Sequence, residues 1–255
     1  MNKRYLSPAE VCESFVGIGA RKAALPVGKM LVLAALAGAF IALAGVASTW
    51  ASMEVENLSL RRFLAGCVFP AGLAMVVFTG TELFTGNCLM TIAWLDKKIT
   101  LPAMLKNWCL VYIGNIIGGA AVAYLAVFGG TFSGKEAFLV STAMGKMLSF
   151  EDALFRGILC NVLVCLGVLM AAAGTDAAGK VVALFFPVAA FIMAGYEHSV
   201  ANMYYLSAGV FAGADLSLYD IVVRNLIPVT IGNIIGGGVI LGGGYWYIYR
   251  KGMEK

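Results

Sequence analysis

Long apolar runs constrain this chain more than any other feature. Stretches of roughly 20 residues with few charges recur from Val27 to the end, each long enough to cross a hydrocarbon layer of about 30 Å as a helix. Only 13% of the 255 residues are charged and 61% are hydrophobic, with a mean hydropathy of +0.88. A soluble domain carries about 25% charge, so the chain reads as an all-α integral membrane protein. The net charge of +4 does not mark a nucleic-acid binder, because the charges sit mainly between the apolar runs and no block of like charge occurs.

Six spanning segments are predicted, at 27–50, 62–95, 103–128, 153–173, 179–211 and 221–249. Short polar connections join them; the longer one, 129–152, has room for a short helix of its own. No secretory leader is visible. Instead Ser7, Pro8 and Glu10 write a capping box, and Val11, Phe15 and Ile18 follow at helical spacing ahead of Arg21 and Lys22. Residues 1–26 are therefore predicted to hold an amphipathic helix lying at the membrane surface.

Orientation follows from Lys and Arg. With both termini inside, the cytoplasmic side carries Lys3, Arg4, Arg21, Lys22, Lys29, Lys97, Lys98, Lys106, Lys180, Arg250, Lys251 and Lys255. The opposite side carries Arg61, Arg62, Lys135, Lys146, Arg156 and Arg224. Twelve against six places the N- and C-termini in the cytoplasm.

Two internal duplications set the architecture. GTELFTGN (Gly80 to Asn87) and GYEHSVAN (Gly195 to Asn202) share Gly-x-Glu-x-x-x-small-Asn at a spacing of 115. KNWCLVYIGNIIGG from Lys106 and RNLIPVTIGNIIGG from Arg224 share nine of fourteen residues at a spacing of 118. Each repeat, 27–128 and 153–249, holds three spans. Three is odd, so the second enters the membrane inverted, an arrangement that places binding sites at the midplane where broken helices meet. The second and fifth spans are the broken ones. Gly114 with Gly118, and Gly232 with Gly236, are small-residue pairs suited to close helix packing.

The breaks hold the residues able to do chemistry. Ionisable groups at bilayer depth are costly and mark pathways, which singles out His198, the chain's only histidine. Glu82 and Glu197 occupy equivalent positions, where accepting hydrogen bonds from the broken backbone would brace each loop; Asn87 and Asn202 suit the same work. Thr85 offers a hydroxyl opposite His198. Leu73, Leu83 and Phe191 lie near the breaks as candidate apolar constrictions, or as ordinary core. The six cysteines lack ligand spacing, and no metal or cofactor is expected.

ELFTGN, GYEHSVANM and NLIPVTIGNIIGGG together resemble the signatures of the formate/nitrite transporter family, over nearly the whole chain. The resemblance implies an aquaporin-like fold, a homopentamer with one pore per protomer, and passage of small monovalent anions across a cell membrane. Matched by motif, His198 takes the place of the central pore histidine and Glu197 of the adjacent glutamate. Thr85 matches the threonine of the first broken loop, Asn161 the asparagine near the histidine, and Lys146 the lysine before the fourth span. Leu73, Leu83, Phe191 and Phe69 match the apolar slits. The resemblance also implies proton-assisted passage of formate, nitrite or hydrosulfide at His198, without choosing among the three. A water or neutral-solute pore of the aquaporin type would carry two Asn-Pro-Ala loops, and the breaks here read FTGN and SVAN. An enzyme would need ligands or a nucleophilic triad at contact spacing, and none is evident.

Overall fold

The computed structural model describes residues 5–252; Lys3, Arg4 and Lys255 of the charge count lie outside the described residues. The chain is helical, with α1 at Pro8–Ala23, α2 at Val27–Ser52, α3 at Leu58–Thr79, α4 at Phe84–Leu95 and α5 at Leu101–Phe128. Then come α6 at Glu136–Met144, α7 at Phe150–Ala173, α8 at Ala177–Ala194, α9 at Ser199–Phe211 and α10 at Asp220–Tyr249. Among the described residues six of these (α2, α3, α5, α7, α8 and α10) are long and apolar enough to cross a membrane.

The second and fifth spans break where the duplicated motif predicts. Gly80 and Gly195 end α3 and α8 with φ of 66° and 73°, a left-handed conformation that costs glycine nothing. Each chain then runs extended for a few residues before α4 or α9 begins. These pairs are half-helices, and their N-termini point into the protein. The connection 129–152 does contain a helix, α6.

Some features were not predicted. The second span starts at Leu58, where Asn57 accepts from the Leu60 N–H and caps the helix. Pro70 divides that helix after Phe69, since proline cannot donate to the preceding turn. The last span widens to π-type winding over Asp220–Leu226 and Ile234–Gly243. Thr91 Oγ1 takes up one carbonyl of the second stretch, donating to Gly238 O at 2.9 Å.

The fold is the inverted repeat of three plus three spans. In one half α2 packs along α5, and in the other α7 packs along α10. A Cβ on Gly114 would meet Ala34 and one on Gly118 would overlap the Ala35 carbonyl. In the other half Gly232 faces the Leu154 carbonyl and Gly236 that of Ile158. Both helix pairs approach closely because glycine leaves the backbone bare. α1 keeps its capping box (Ser7 N to Glu10 Oε2, 2.9 Å) and buries Val11, Cys12, Phe15 and Val16. Arg250 at the end of α10 ties α1 down, bonding Glu13 on it and Asp96 after α4.

This packing has a direct test. Gly118→Ala inserts a methyl against backbone, an overpacking that costs about 1–3 kcal/mol, whereas Gly28→Ala meets nothing within 4 Å. Thermal unfolding in detergent is expected to show a lowered Tm for Gly118→Ala alone; equal Tm values would refute the close approach.

Candidate functional site

A helix that stops inside an apolar layer leaves several backbone groups without partners. Here the side chains of each break and of the neighbouring glycine-rich span supply those partners. Asn115 of α5 accepts from Phe84 N (2.9 Å) and donates to Ala34 O (2.7 Å) and Glu82 O (3.0 Å). Asn233 of α10 does the same in the inverted half, accepting from Ser199 N (2.9 Å) and donating to Gly157 O (2.8 Å) and Glu197 O (3.0 Å). One amide thus pins both sides of a break to the adjacent helix.

The two glutamates sit one shell further out. Asn87 Nδ2 donates to Glu82 Oε2 (2.7 Å) and to Asn107 Oδ1 (2.8 Å). Asn202 Nδ2 donates to Glu197 Oε2 (2.7 Å) and to Asn225 Oδ1 (2.9 Å). Each carboxylate also meets a lysine, Lys22 at 2.6 Å from Glu82 and Lys146 at 2.9 Å from Glu197. The glutamate side chains are 3% and 4% exposed, so removing either lysine would leave a buried charge uncompensated.

Between these braces lies the one polar contact that, among the described residues, joins the two breaks directly. Thr85 Oγ1 and His198 Nε2 are 2.9 Å apart. His198 is the N-cap of α9, its Nδ1 accepting from the Ala201 N–H at 3.0 Å. That bond assigns the neutral ring's proton to Nε2, so Nε2–H donates to Thr85 Oγ1. The Thr85 O–H then has no acceptor among the hydrogen bonds of the described residues, and remains available to a passing group. Asn161 does not touch the histidine; its Nδ2 holds the Thr85 carbonyl (3.2 Å) and Asn233 O (2.6 Å). Cys165 Sγ donates to the same Thr85 carbonyl at 3.2 Å.

Apolar rings flank this pair. Phe191 stacks on the His198 ring, centroids 5.7 Å apart and 17° between planes. Phe69 meets Phe191 edge-on at 5.8 Å. Leu73 and Leu83 line a 490 Å³ cavity together with Glu82, Lys22 and residues of α1.

The structure therefore brings together His198 with Thr85, Lys146 with Glu197 and Asn202, and Glu82 with Asn87. Sequence reasoning missed Lys22, which it counted only toward orientation, and the four asparagines 107, 115, 225 and 233. The signal for those asparagines lay in the second duplication, where each Asn recurs 118 residues on beside the glycines that drew attention.

Asn233→Ala removes three bonds at once and takes the side-chain partner from the buried Ser199 N–H, a loss costing about 1–3 kcal/mol. The variant is expected to unfold at a clearly lower temperature in detergent than Asn57→Ala, which loses one exposed cap. Matching Tm losses would mean that the amide does not hold the break.

Comparison with known proteins agrees with this geometry. The family model described as formate/nitrite transporter matches residues 9–247. A probable formate transporter of Methanothermobacter thermautotrophicus is 36% identical, over 98% of this chain and 100% of the relative. A solved FNT family ion channel superposes with a TM-score of 0.86 at 31% identity, covering 94% of this chain and 98% of that one. A pentameric formate channel with formate bound gives a TM-score of 0.75 at 33% identity, covering 88% and 98%. The breaks, their asparagine braces and these likenesses lead to one conclusion: the chain belongs to the formate/nitrite transporter family.

Proposed function

We propose that the chain is a channel for small monovalent anions of weak acids (formate, nitrite or hydrosulfide) and that passage is proton-assisted at His198. The observation that carries this reading is the Thr85–His198 pair with Phe191 stacked on the imidazole. A bare anion entering an apolar slit loses its water, at a cost of several kcal/mol or more. A neutral weak acid loses far less.

The pair suits a proton exchange. Thr85 O–H points a donor at an anion that has reached the break, and the N-termini of α4 and α9 add partial positive charge. A proton from the vestibule water, drawn in with the arriving anion that balances its charge, doubly protonates the imidazole by adding to Nδ1 at the expense of the Ala201 N–H bond. The Nε2 proton then passes through the Thr85 hydroxyl to the anion, leaving a neutral ring and a neutral acid. The acid crosses the apolar ring and ionises in the far vestibule. Lys146 and Lys22, each paired with a glutamate, mark the two vestibules in this scheme.

The assembly proposed is a homopentamer, supported by the pentameric state of the solved formate channel. The proposed setting is the cytoplasmic membrane with both termini inside, supported by the Lys and Arg asymmetry.

The test is anion flux into vesicles of the purified protein, with formate, nitrite and hydrosulfide offered singly at two pH values against chloride. Flux of one weak-acid anion is expected to exceed chloride and to rise as pH falls. His198→Asn keeps a side-chain acceptor for Ala201 N–H, since asparagine caps helices well, but loses the ring. It is expected to lose roughly a hundredfold in rate, as general-acid groups commonly contribute, and to lose the pH dependence. Unchanged rate and pH response would end the proton step. Rapid glycerol or water flux without anion flux would replace the whole reading with a neutral-solute pore.

A further inference from the structure

The backbone carbonyl of Thr85 is held by side chains where a helix would hold it by its own backbone. Regular winding of α4 would send Leu89 N back to Thr85 O. The winding lapses at Cys88 and Leu89, and Leu89 N donates to Gly86 O at 3.2 Å. Two side chains of α7 take up the Thr85 carbonyl, Asn161 through Nδ2 at 3.2 Å and Cys165 through Sγ at 3.2 Å. The other acceptor within reach of the thiol, Asn161 Oδ1, is further off at 3.7 Å. All three residues are fully buried. A Cβ on Gly237 of α10 would overlap both the Asn161 amide and the Cys165 sulfur, so a bare backbone there makes room for the two donors.

The inverted half lacks this arrangement. The equivalent bonds from Asn233 to Gly157 O and from Asn115 to Ala34 O align α7 with α2, so that Asn161 corresponds to Gly38 and Cys165 to Ala42. Neither counterpart has a side-chain donor. Thr85 itself corresponds to Val200, near the start of a helix that winds without interruption over Ser199–Phe211. The lapse in the helix, the two donors and the hydroxyl therefore occur together, in the half whose hydroxyl meets the histidine. Packing alone would be met by any small residue, as Ala42 meets it in α2.

We propose that Cys165 is a positioning residue for passage: its S–H, together with the Asn161 amide, fixes the Thr85 carbonyl and thereby sets the Thr85 hydroxyl 2.9 Å from His198 Nε2. Carbonyl and hydroxyl belong to one residue, so a turn of its backbone moves both. N–H···O bonds hold between about 2.7 and 3.2 Å, and a drift of roughly half an ångström would take the His198 bond out of that range. A reacting pair keeps its geometry only when the groups behind it are themselves locked by packing and hydrogen bonds. The purpose of the clamp rests on the Thr85–His198 pair being the site of passage, but the clamp itself can be read without transport.

His198 is the chain's only histidine, so nitrogen-labelled histidine in the full chain, purified without a histidine tag into lipid nanodiscs, gives the NMR signals of a single imidazole. Thr85→Val marks where the Nε2 resonance lies once its bond is lost. Cys165→Ala is expected to move the resonance toward that position, and Cys165→Ser, which keeps a donor, to restore it. Cys160→Ala removes a thiol equally buried on the same helix, with no hydrogen bond to either break among the described residues, and is expected to leave the resonance in place. Formate flux into vesicles is expected to fall about fivefold in Cys165→Ala, the factor that roughly one hydrogen bond contributes, and to recover in Cys165→Ser. A resonance unmoved by Cys165→Ala, or moved as far by Cys160→Ala, overturns the clamp. A moved resonance with full flux overturns the positioning role. Absent flux in the unsubstituted chain as well, with the resonance still moved by Cys165→Ala, supports the clamp and removes the transport reading beneath it.

Discussion

Two helices end in the middle of an apolar layer, and the rest of the molecule is arranged to make that possible. An unpartnered N–H or C=O at that depth costs several kcal/mol, and each break creates a set of them. Asn115 and Asn233 bridge those groups to α2 and α7, and they can reach because Gly114, Gly118, Gly232 and Gly236 let the helices approach closely. The glutamates then take the next asparagines, and the lysines take the glutamates. Each step is a consequence of the one before. A span rich in glycine and a buried acid at the break belong to the same solution.

The duplication copies this scaffold but not the site it supports. Aligned by the repeat, His198 corresponds to Leu83 and Thr85 to Val200. The symmetry mate of the Thr85–His198 bond would be a contact between two aliphatic side chains. Divergence of the two halves therefore leaves a single polar pair between the breaks, with Leu83 in the place that His198 takes in the other half. A strictly symmetric chain would have two histidines or none. Phe191 stacked on the imidazole adds to the asymmetry, since its counterpart by the repeat is Val76.

Much of this was legible in the sequence because the constraints are strong. Apolar runs of span length, an odd number of spans per repeat and a polar break in equivalent places leave few folds open. The Gly80 and Gly195 stops could be read for the same reason, as glycine in a motif that interrupts a helix. The asparagine braces were harder to see. Asn115 and Asn233 lie in the middle of apolar helices, and only the three-dimensional approach of the break shows what their amides hold. Lys22 shows another limit: spacing cannot tell a lysine that sets orientation from one that neutralises a glutamate 60 residues away. The π-type winding of α10 had no signal beyond its glycines.

The paired and unpaired cations perform different physical tasks. A lysine 2.6 Å from a buried carboxylate contributes little net field beyond its neighbour, since the two charges cancel at a distance. Its worth lies in pairing a carboxylate that in turn accepts from the amides of Asn87 and Asn107. A cation without a partner does the reverse, adding nothing to the brace and everything to the field. Arg21 and Lys180 are of this second kind, and both line the cavity that Lys22 and Glu82 share.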